Sequence, residues 1–276
     1  MDLEALPARA GPSTEVSVVT VERGERRTRT DALATEEPLE IRLRAADKTE
    51  SVGVSMRTPG NDFELAAGFL FAEGIISGPG DLRTISYCVD RALTQEQRYN
   101  VVTVTLNART LPALGAAERR FVMSSACGVC GRATIDALHE RALAPIALSA
   151  PLDPAILHVL PERLREGQRI FALTGGLHAA GLFSPDGTLL AIREDIGRHN
   201  ALDKLIGWAL LERRLPLRDH IVAVSGRVGY ELVQKAVCAG IPVVCAVSAP
   251  SSLAVSLARE FDVTLIGFMR DTRFNI

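Results

Sequence analysis

No stretch of the sequence approaches the ~18 consecutive apolar residues that a membrane-spanning helix needs, although 47% of its 276 residues are hydrophobic. A core of ordinary size is therefore available, and no membrane span is expected. An excess of charge is also missing. With 31 Lys and Arg against 33 Asp and Glu, the net charge is −2, which gives no electrostatic basis for general nucleic-acid or membrane-surface binding. Cysteines are few and odd in number: Cys88, Cys127, Cys130, Cys238 and Cys245. That usage argues against a disulfide scaffold and for a reducing cytoplasm. The segment Met1 to Pro12 mixes acidic residues, Arg and Ala without an apolar signal core, so no secretory leader is expected. There is no repeat, no long linker, no phosphate-binding Walker loop and no dinucleotide fingerprint. No His-x-Glu motif precedes a Pro-Cys-x-x-Cys motif, which argues against a zinc deaminase.

What is present is one Cys-x-x-Cys pair, Cys127 and Cys130, within Phe121-Val122-Met123-Ser124-Ser125-Ala126-Cys127-Gly128-Val129-Cys130-Gly131. Two thiols at this spacing can exchange sulfur, form a disulfide or share a metal. The surrounding Ser, Ala and Gly residues let a bulky partner approach the sulfur, whereas inert buried cysteines have apolar neighbours. An apolar run leads in and a helix-like run from Arg132 to Arg141 leads out. The pair is therefore expected in a loop near a helix N-terminus, where unpaired N–H groups and the helix dipole favour a reactive thiolate. A structural zinc site needs about four ligands. Cys238 and Cys245 do not repeat the spacing, and with Cys88 they lie in apolar patterns expected in the core.

The pattern along the chain predicts an α/β protein, α+β overall. Residues 1–14 read as a disordered tail. Residues 15–115 read as a β-rich N-terminal part, with strands over Glu15 to Glu22, Leu39 to Arg44, Ser51 to Arg57, Thr84 to Val89 and Tyr99 to Leu106. One helix runs to Glu73, capped by Asn61 or Asp62. Residues 116–276 read as a layered α/β domain, with a helix over Asp153 to Arg165, a short strand over Arg169 to Leu173 and a hairpin of His178 to Phe183 with Thr188 to Arg193. A helix opened by Asn200 and Asp203 follows. Short strands at Ile221, Val243 and Val263 then alternate with helices from Tyr230 and Ser251.

Several polar or glycine-rich loops follow the predicted strands, where ligands of open α/β sheets collect. They are Thr174-Gly175-Gly176-Leu177-His178, Arg193-Glu194-Asp195-Ile196-Gly197-Arg198-His199-Asn200, Ser225-Gly226-Arg227, Ser248 to Ser252 and Phe268 to Arg273. Arg193, Arg198, Arg270 and Arg273 suit a diphosphate, and Asp195 or Asp271 suits the paired N–H donors of guanine. A guanine nucleotide such as GDP is the expected ligand of the 193–200 and 268–273 segments; a surface ion-pair network is the alternative. His178 and His199 each fit a general acid, a phosphate ligand or a structural anchor.

The cysteine motif, taken with Thr174 to Ala180, Arg193 to Ala201, Ser225-Gly226-Arg227 and Gly267-Phe268 in the same order, resembles the FdhD family. These are sulfurtransferase accessory proteins of formate dehydrogenase, and the likeness spans about Glu15 to the C-terminus. It implies a cytidine-deaminase-like layered domain with a smaller β-rich N-terminal part, and a homodimer. It implies that sulfur passes from a cysteine desulfurase, as a persulfide, to the molybdenum bis(molybdopterin guanine dinucleotide) cofactor needed by formate dehydrogenase. The persulfide residue maps to Cys127, with Cys130 as the second motif cysteine. The family's cofactor-binding segment maps to Phe268, Met269, Arg270, Asp271, Thr272 and Arg273, and the ligand loop above adds Asp195, Arg198 and His199. A cofactor-binding chaperone without covalent sulfur transfer, and a dithiol oxidoreductase, are the competing readings.

Overall fold

The structure is a computed structural model describing residues 10–88, 94–112, 145–146, 148, 151–270 and 273–276. Three sheets organise the chain. A two-stranded ribbon pairs β1 (Ser13–Glu22) with β2 (Glu25–Ala34). A four-stranded sheet has the order β4-β3-β6-β5, from β3 (Glu37–Ala45), β4 (Lys48–Arg57), β5 (Leu82–Tyr87) and β6 (Val101–Leu106). A six-stranded mixed sheet has the order β12-β11-β10-β9-β7-β8. Its strands are β7 (His178–Phe183), β8 (Leu189–Asp195), β9 (Ile221–Val224), β10 (Val243–Ala246), β11 (Thr264–Arg270) and β12 (Arg273–Asn275). Strands β9, β10 and β11 run parallel, and β7, β8 and β12 are added antiparallel.

Both faces of the six-stranded sheet are covered, which explains why β9 and β10 are continuous apolar runs buried at every position. Ala179, Phe183, Ile221, Ala223, Val243 and Cys245 meet α3 (Pro154–Gly167) on one face. The alternate residues Ala180, Leu182, Val222, Val224, Val244 and Ala246 face the larger core. That core is built with α5 (Arg198–Leu211), α6 (Tyr230–Ala239) and α7 (Ser252–Glu260). It continues without a break into α1 (Asp62–Ala72) and the four-stranded sheet. The junction is the crossing of α1 with α5. A Cβ on Gly68 would lie 1.9 Å from the Asp203 carbonyl oxygen, and one on Gly207 would lie 1.8 Å from that of Glu64. Only glycine on both helices permits that approach. Two short helices complete the described set, α2 (Gln95–Tyr99) and α4 (Arg169–Thr174). No helix among the described residues is long and apolar enough to cross a membrane.

The structure departs from the sequence reading at several elements. Ser13 and Thr14 belong to β1 rather than to a tail. Strand β2 was not expected, because half of Glu25–Ala34 is charged and neither of its faces is buried. It pairs through a two-residue turn with positive φ at Arg23 (51°) and Gly24 (86°). Arg169–Thr174 is a helix, not a strand. The Glu194 carboxylate accepts the N–H groups of Ile170 (3.0 Å) and Phe171 (2.8 Å), fixing its first turn. Both edges of β7 are already taken by β8 and β9, so no ladder is open to this segment. Asn61 precedes α1 in the left-handed region and makes no side-chain cap. Asp62 instead receives the buried Arg57 guanidinium, the Gly60 N–H and the Tyr87 hydroxyl. The helix expected from Asn200 starts earlier, at Arg198, after Gly197.

Candidate functional site

The loops singled out in the sequence converge on one edge of the six-stranded sheet, at the carboxyl ends of β8, β9, β10 and β11. His178 opens β7 opposite Asp195, the last residue of β8. Ser225 follows β9, and its Oγ accepts the Ala179 N–H at 2.9 Å. The carbonyl of Ser248, beyond β10, accepts the Phe268 N–H at 3.0 Å. The edge thus carries, in spatial order, the 195–200 turn, His178 with Ser225-Gly226, Val247-Ser248 and Phe268.

Behind this edge lies a buried web of charge. Asp195 is 0% exposed. Its Oδ1 accepts Gly197 N–H (2.8 Å) and the Asn200 amide (3.0 Å). Its Oδ2 accepts Thr58 N–H (3.1 Å) and lies 2.7 Å from Lys204 Nζ. Lys204 also donates to the Thr58 carbonyl at 2.8 Å, so the web ties the 195–204 turn to the end of β4. The expected role of Asp195 as a guanine acceptor is therefore corrected: its carboxylate is saturated by four donors inside the protein. A second buried pair joins Asp203 to Lys235 at 2.7 Å. Burial pushes the Asp203 carboxyl up to about 6. Arg193 is likewise committed, since Nη2 meets Glu64 Oε1 at 2.8 Å and the guanidinium lies 5.6 Å from the centre of the Trp208 ring.

The remaining candidates divide. Arg198, at the start of α5, has a buried Nε with no hydrogen-bond partner among the described residues. Its side chain approaches Gly226, where an added Cβ would lie 3.8 Å from Arg198 Cδ and 3.1 Å from His178 Nδ1. Burial and the Arg198 charge hold the His178 pKa below the usual histidine range. His199 sits 3.3 Å from Glu231 across the starts of α5 and α6. Burial, then the positive charges of Arg198 and Lys235, depress its pKa to about 3. The imidazole is therefore neutral at pH 7, and its contact with Glu231 is that of a polar neighbour rather than an ion pair. Of the C-terminal segment, Phe268 is 38% exposed with φ of 56°, a left-handed conformation unusual for a bulky residue. Arg270 and Arg273 are exposed and face each other in register across β11 and β12. Met269 is 3% exposed and packs with the α3-side core, so its expected ligand contact is corrected to a structural one. Asp271, Thr272, Cys127 and Cys130 lie outside the described residues.

A cleft of about 500 Å³ opens beside the edge, between α3, α4 and the ends of β7 and β9; Arg165, Gln168, Phe171, Gly176, His178 and Ser225 line it. Gln168 was missed in the sequence. A single glutamine after an amphipathic helix carries no signal, but here it is 4% exposed and its Nε2 has no partner among the described residues. Of the described thiols, Cys238 and Cys245 are buried in the core as expected, whereas Cys88, also expected there, is half-buried just past the end of β5. Burial alone pushes the Cys245 thiol far above its ordinary pKa, which keeps it protonated.

Comparison with known proteins matches residues 34–276 to the model of the FdhD/NarQ family. The Sulfur carrier protein FdhD of Mycolicibacterium paratuberculosis is 51% identical over 258 residues, covering 92% of each chain. That of Streptomyces coelicolor is 49% identical over 262 residues, covering 94% of this chain and 91% of its own. Among solved structures, a candidate formate dehydrogenase accessory protein from Desulfotalea psychrophila superposes with a TM-score of 0.71 at 27% identity, covering 95% of both chains.

Proposed function

As a member of the FdhD/NarQ family, this chain is, we propose, a sulfur carrier that accepts sulfur on Cys127 and hands it to the molybdenum bis(molybdopterin guanine dinucleotide) cofactor on behalf of formate dehydrogenase. The observation that carries the reading is near-full-length similarity to proteins named as sulfur carriers, at about 50% identity, in a chain that bears the Cys127-x-x-Cys130 pair. The donor is the persulfide of a cysteine desulfurase. The Cys127 thiolate attacks the terminal sulfur, a new S–S bond forms on Cys127, and the desulfurase cysteine leaves as a thiolate. The cofactor is then the acceptor substrate. Cys130 has two possible parts: it relays the sulfur, or it expels hydrosulfide by closing a Cys127–Cys130 disulfide that a cellular dithiol later reduces.

The cofactor's guanine dinucleotide end is assigned to the exposed part of the carboxyl edge. With Arg193 held by Glu64, the guanidinium groups left for a diphosphate are those of Arg198, Arg270 and Arg273. With Asp195 saturated, Asp271 is the carboxylate left for guanine. Phe268, in the same carboxyl-terminal segment, offers a partly exposed ring. The protein is expected to act as a homodimer in the reducing cytoplasm, where its cysteines are kept as thiols ready to accept sulfur.

Intact-mass measurement after incubation with a cysteine desulfurase and cysteine tests the sulfur step. A gain of one sulfur atom, located on Cys127 and absent in Cys127→Ala, is the expected result. No gain in a chain that still binds the cofactor would replace the carrier by the chaperone reading. Calorimetric titration tests the nucleotide end, with GDP expected to bind and ADP to bind far more weakly.

A further inference from the structure

No residue of the β1–β2 ribbon is buried. Its strands pair with each other along their full length, from Ser13↔Ala34 to Glu22↔Glu25, and with no third strand among the described residues. A two-stranded ribbon left alone in water is marginally stable and needs a further layer over one face. Only the base is held. There the Thr35 N–H donates to the Pro12 carbonyl at 3.0 Å, and α4 lies against β2. All of the ribbon but Ala34 precedes the segment matched to the family model. Its two faces differ. On one, Arg27 pairs with Glu25 and Arg29 with Asp31, both at 2.8 Å, and Arg29 Nε donates to Thr20 at 2.9 Å. That face is an ion-paired, solvated surface. The opposite face carries Val19 and Val21, 60% and 61% exposed, with Thr28 beside Val19 and Arg26 beside Val21. Arg26 closes this face at the tip, and Glu15, six residues along β1 from Val21, closes it at the base. Both are exposed, and neither has an ion pair among the described residues.

A face with a cation at one end, an anion at the other and β-branched side chains between is complementary to itself. A twofold axis across the ribbon at the level of Val18, midway between Glu15 and Val21, lays two such ribbons antiparallel and face to face. Val19 of one copy then lies over Ser17 of the other, and Arg26 comes level with Glu15 of the second copy on both sides of the axis. Strands are ~5 Å apart within a sheet and stacked sheets ~10 Å, a span that an arginine and a glutamate side chain bridge together. The ribbon's own midpoint falls between Ser17 and Val18, so the charge-matched overlay is also the one of full overlap. A parallel overlay sets Arg26 against Arg26 and Glu15 against Glu15, which like-charge repulsion disfavours. We propose that this face of the β1–β2 ribbon is the docking surface for the same face of a second copy, in the antiparallel overlay. Each tip then ends at the base of the other ribbon. There Ala34, on the same face, lies 3.3 Å from where a Cβ on Gly176 would stand, and Leu173 of α4 is 64% exposed. One face of a ribbon this long offers roughly 300 Å² per copy, less than the ~800 Å² per partner of a standard stable interface. The contact at the base adds to it, and the pair is expected to come apart on dilution. The inference rests on the homodimer reading and supplies the surface and orientation that the reading lacks.

Analytical ultracentrifugation of the full-length chain over a range of concentrations measures the pairing. Arg26→Glu sets a glutamate against Glu15 of the second copy on both sides of the axis, and is expected to weaken the dimer about tenfold. The double variant Glu15→Arg/Arg26→Glu exchanges the charges and keeps them matched, so it is expected to restore most of that affinity. The restoration separates a lost contact from a ribbon that has failed to fold. Val19→Asp, which places a charge in the apolar middle of the face, is expected to weaken the dimer by a similar factor. A dimer unchanged in both Arg26→Glu and Val19→Asp gives this face to another occupant; it overturns the proposal and leaves the homodimer reading standing. Weakening in Arg26→Glu that the double variant does not relieve overturns the antiparallel overlay, and the proposal with it. A parent chain that stays monomeric at every concentration overturns the proposal and the homodimer reading together. The sulfur-carrier reading is decided separately, by the mass of Cys127.

Discussion

Two buried polar positions, Asp195 at the end of β8 and Gln168 between α3 and α4, behave in opposite ways. At Asp195 every lone pair of the carboxylate has a donor inside the protein, and Lys204 is locked to it and to the Thr58 carbonyl. At Gln168 the amide is as deeply buried, but its Nε2 is idle among the described residues. Density of ionisable residues in the sequence pointed to the first. What separates a strut from a binding group is whether its hydrogen-bonding capacity has been spent, and only the folded arrangement shows that.

Breaking the strut gives the largest expected effect. Lys204→Met leaves the Asp195 carboxylate buried without its counter-charge, and the cost is expected to be about 3–5 kcal/mol in urea unfolding. The apolar pair Lys204→Met/Asp195→Leu should recover part of that loss, because the uncompensated charge is then gone. A loss below 1 kcal/mol in Lys204→Met would show that water reaches Asp195 and that the site is not sealed.

The histidines sharpen the comparison through pH. His199 is neutral in the fold, with a pKa near 3 against 6.5 for the ordinary imidazole. His178 is shifted the same way. A histidine whose folded pKa is depressed stabilises fully above its unfolded pKa and loses that contribution as pH falls, here from about 6.5 toward 3. The slope is at most about 1.4 kcal/mol per pH unit for each group. Asp203 runs the other way. Raised to about 6, it is more readily protonated in the fold and favours folding on acidification between its ordinary 3.8 and 6. The clean measurement is therefore a difference. His199→Gln is expected to have a flatter fall in Tm between pH 7 and 5 than the parent chain, and identical slopes would show that His199 is charged in the folded protein.

Much of the architecture was legible, and the reasons are physical. Tyr230–Ala239 appears with the bounds its apolar period predicted, and the β3–β4 and β7–β8 hairpins follow from alternation and turn residues. Strand β2 was illegible because neither of its faces is buried, so no apolar alternation exists to be read. Helix α4 was misread because its first turn is fixed by Glu194, a residue more than twenty positions away. In the site, the loops were found from their composition, yet burial reassigned Asp195 and Met269 to structure, and Gln168 had no sequence signal at all. One-residue chemistry was visible; long-range satisfaction was not.

Phe268 tests whether strain is stored at the exposed end of the same edge. Its φ of 56° is tolerated by Asn and resisted by β-branched residues. Phe268→Asn is therefore expected to be more stable than Phe268→Val by about 1 kcal/mol in chemical unfolding, although Val is the more apolar. The reverse order would mean that burial of the ring, not the backbone, sets the energy at this position.

The smallest effect is expected at Gln168, and it probes the comparison most directly. A buried amide that makes its hydrogen bonds contributes to stability, and replacing it by an apolar residue of similar size loses about 1–3 kcal/mol through the partner left unpaired. A buried amide nitrogen that donates to nothing has already lost its water without compensation, so Leu in its place removes that penalty. The surroundings favour accommodation, since Leu164 is buried nearby on α3 and lines the same cleft. Gln168→Leu is therefore expected to leave the unfolding free energy of the unliganded chain unchanged or to raise it by up to about 1 kcal/mol. Urea titration without ligand measures this. A loss of 2 kcal/mol or more would mean that the amide is bonded within the empty protein, that Gln168 is a strut like Asp195, and that the contrast between the two positions is false.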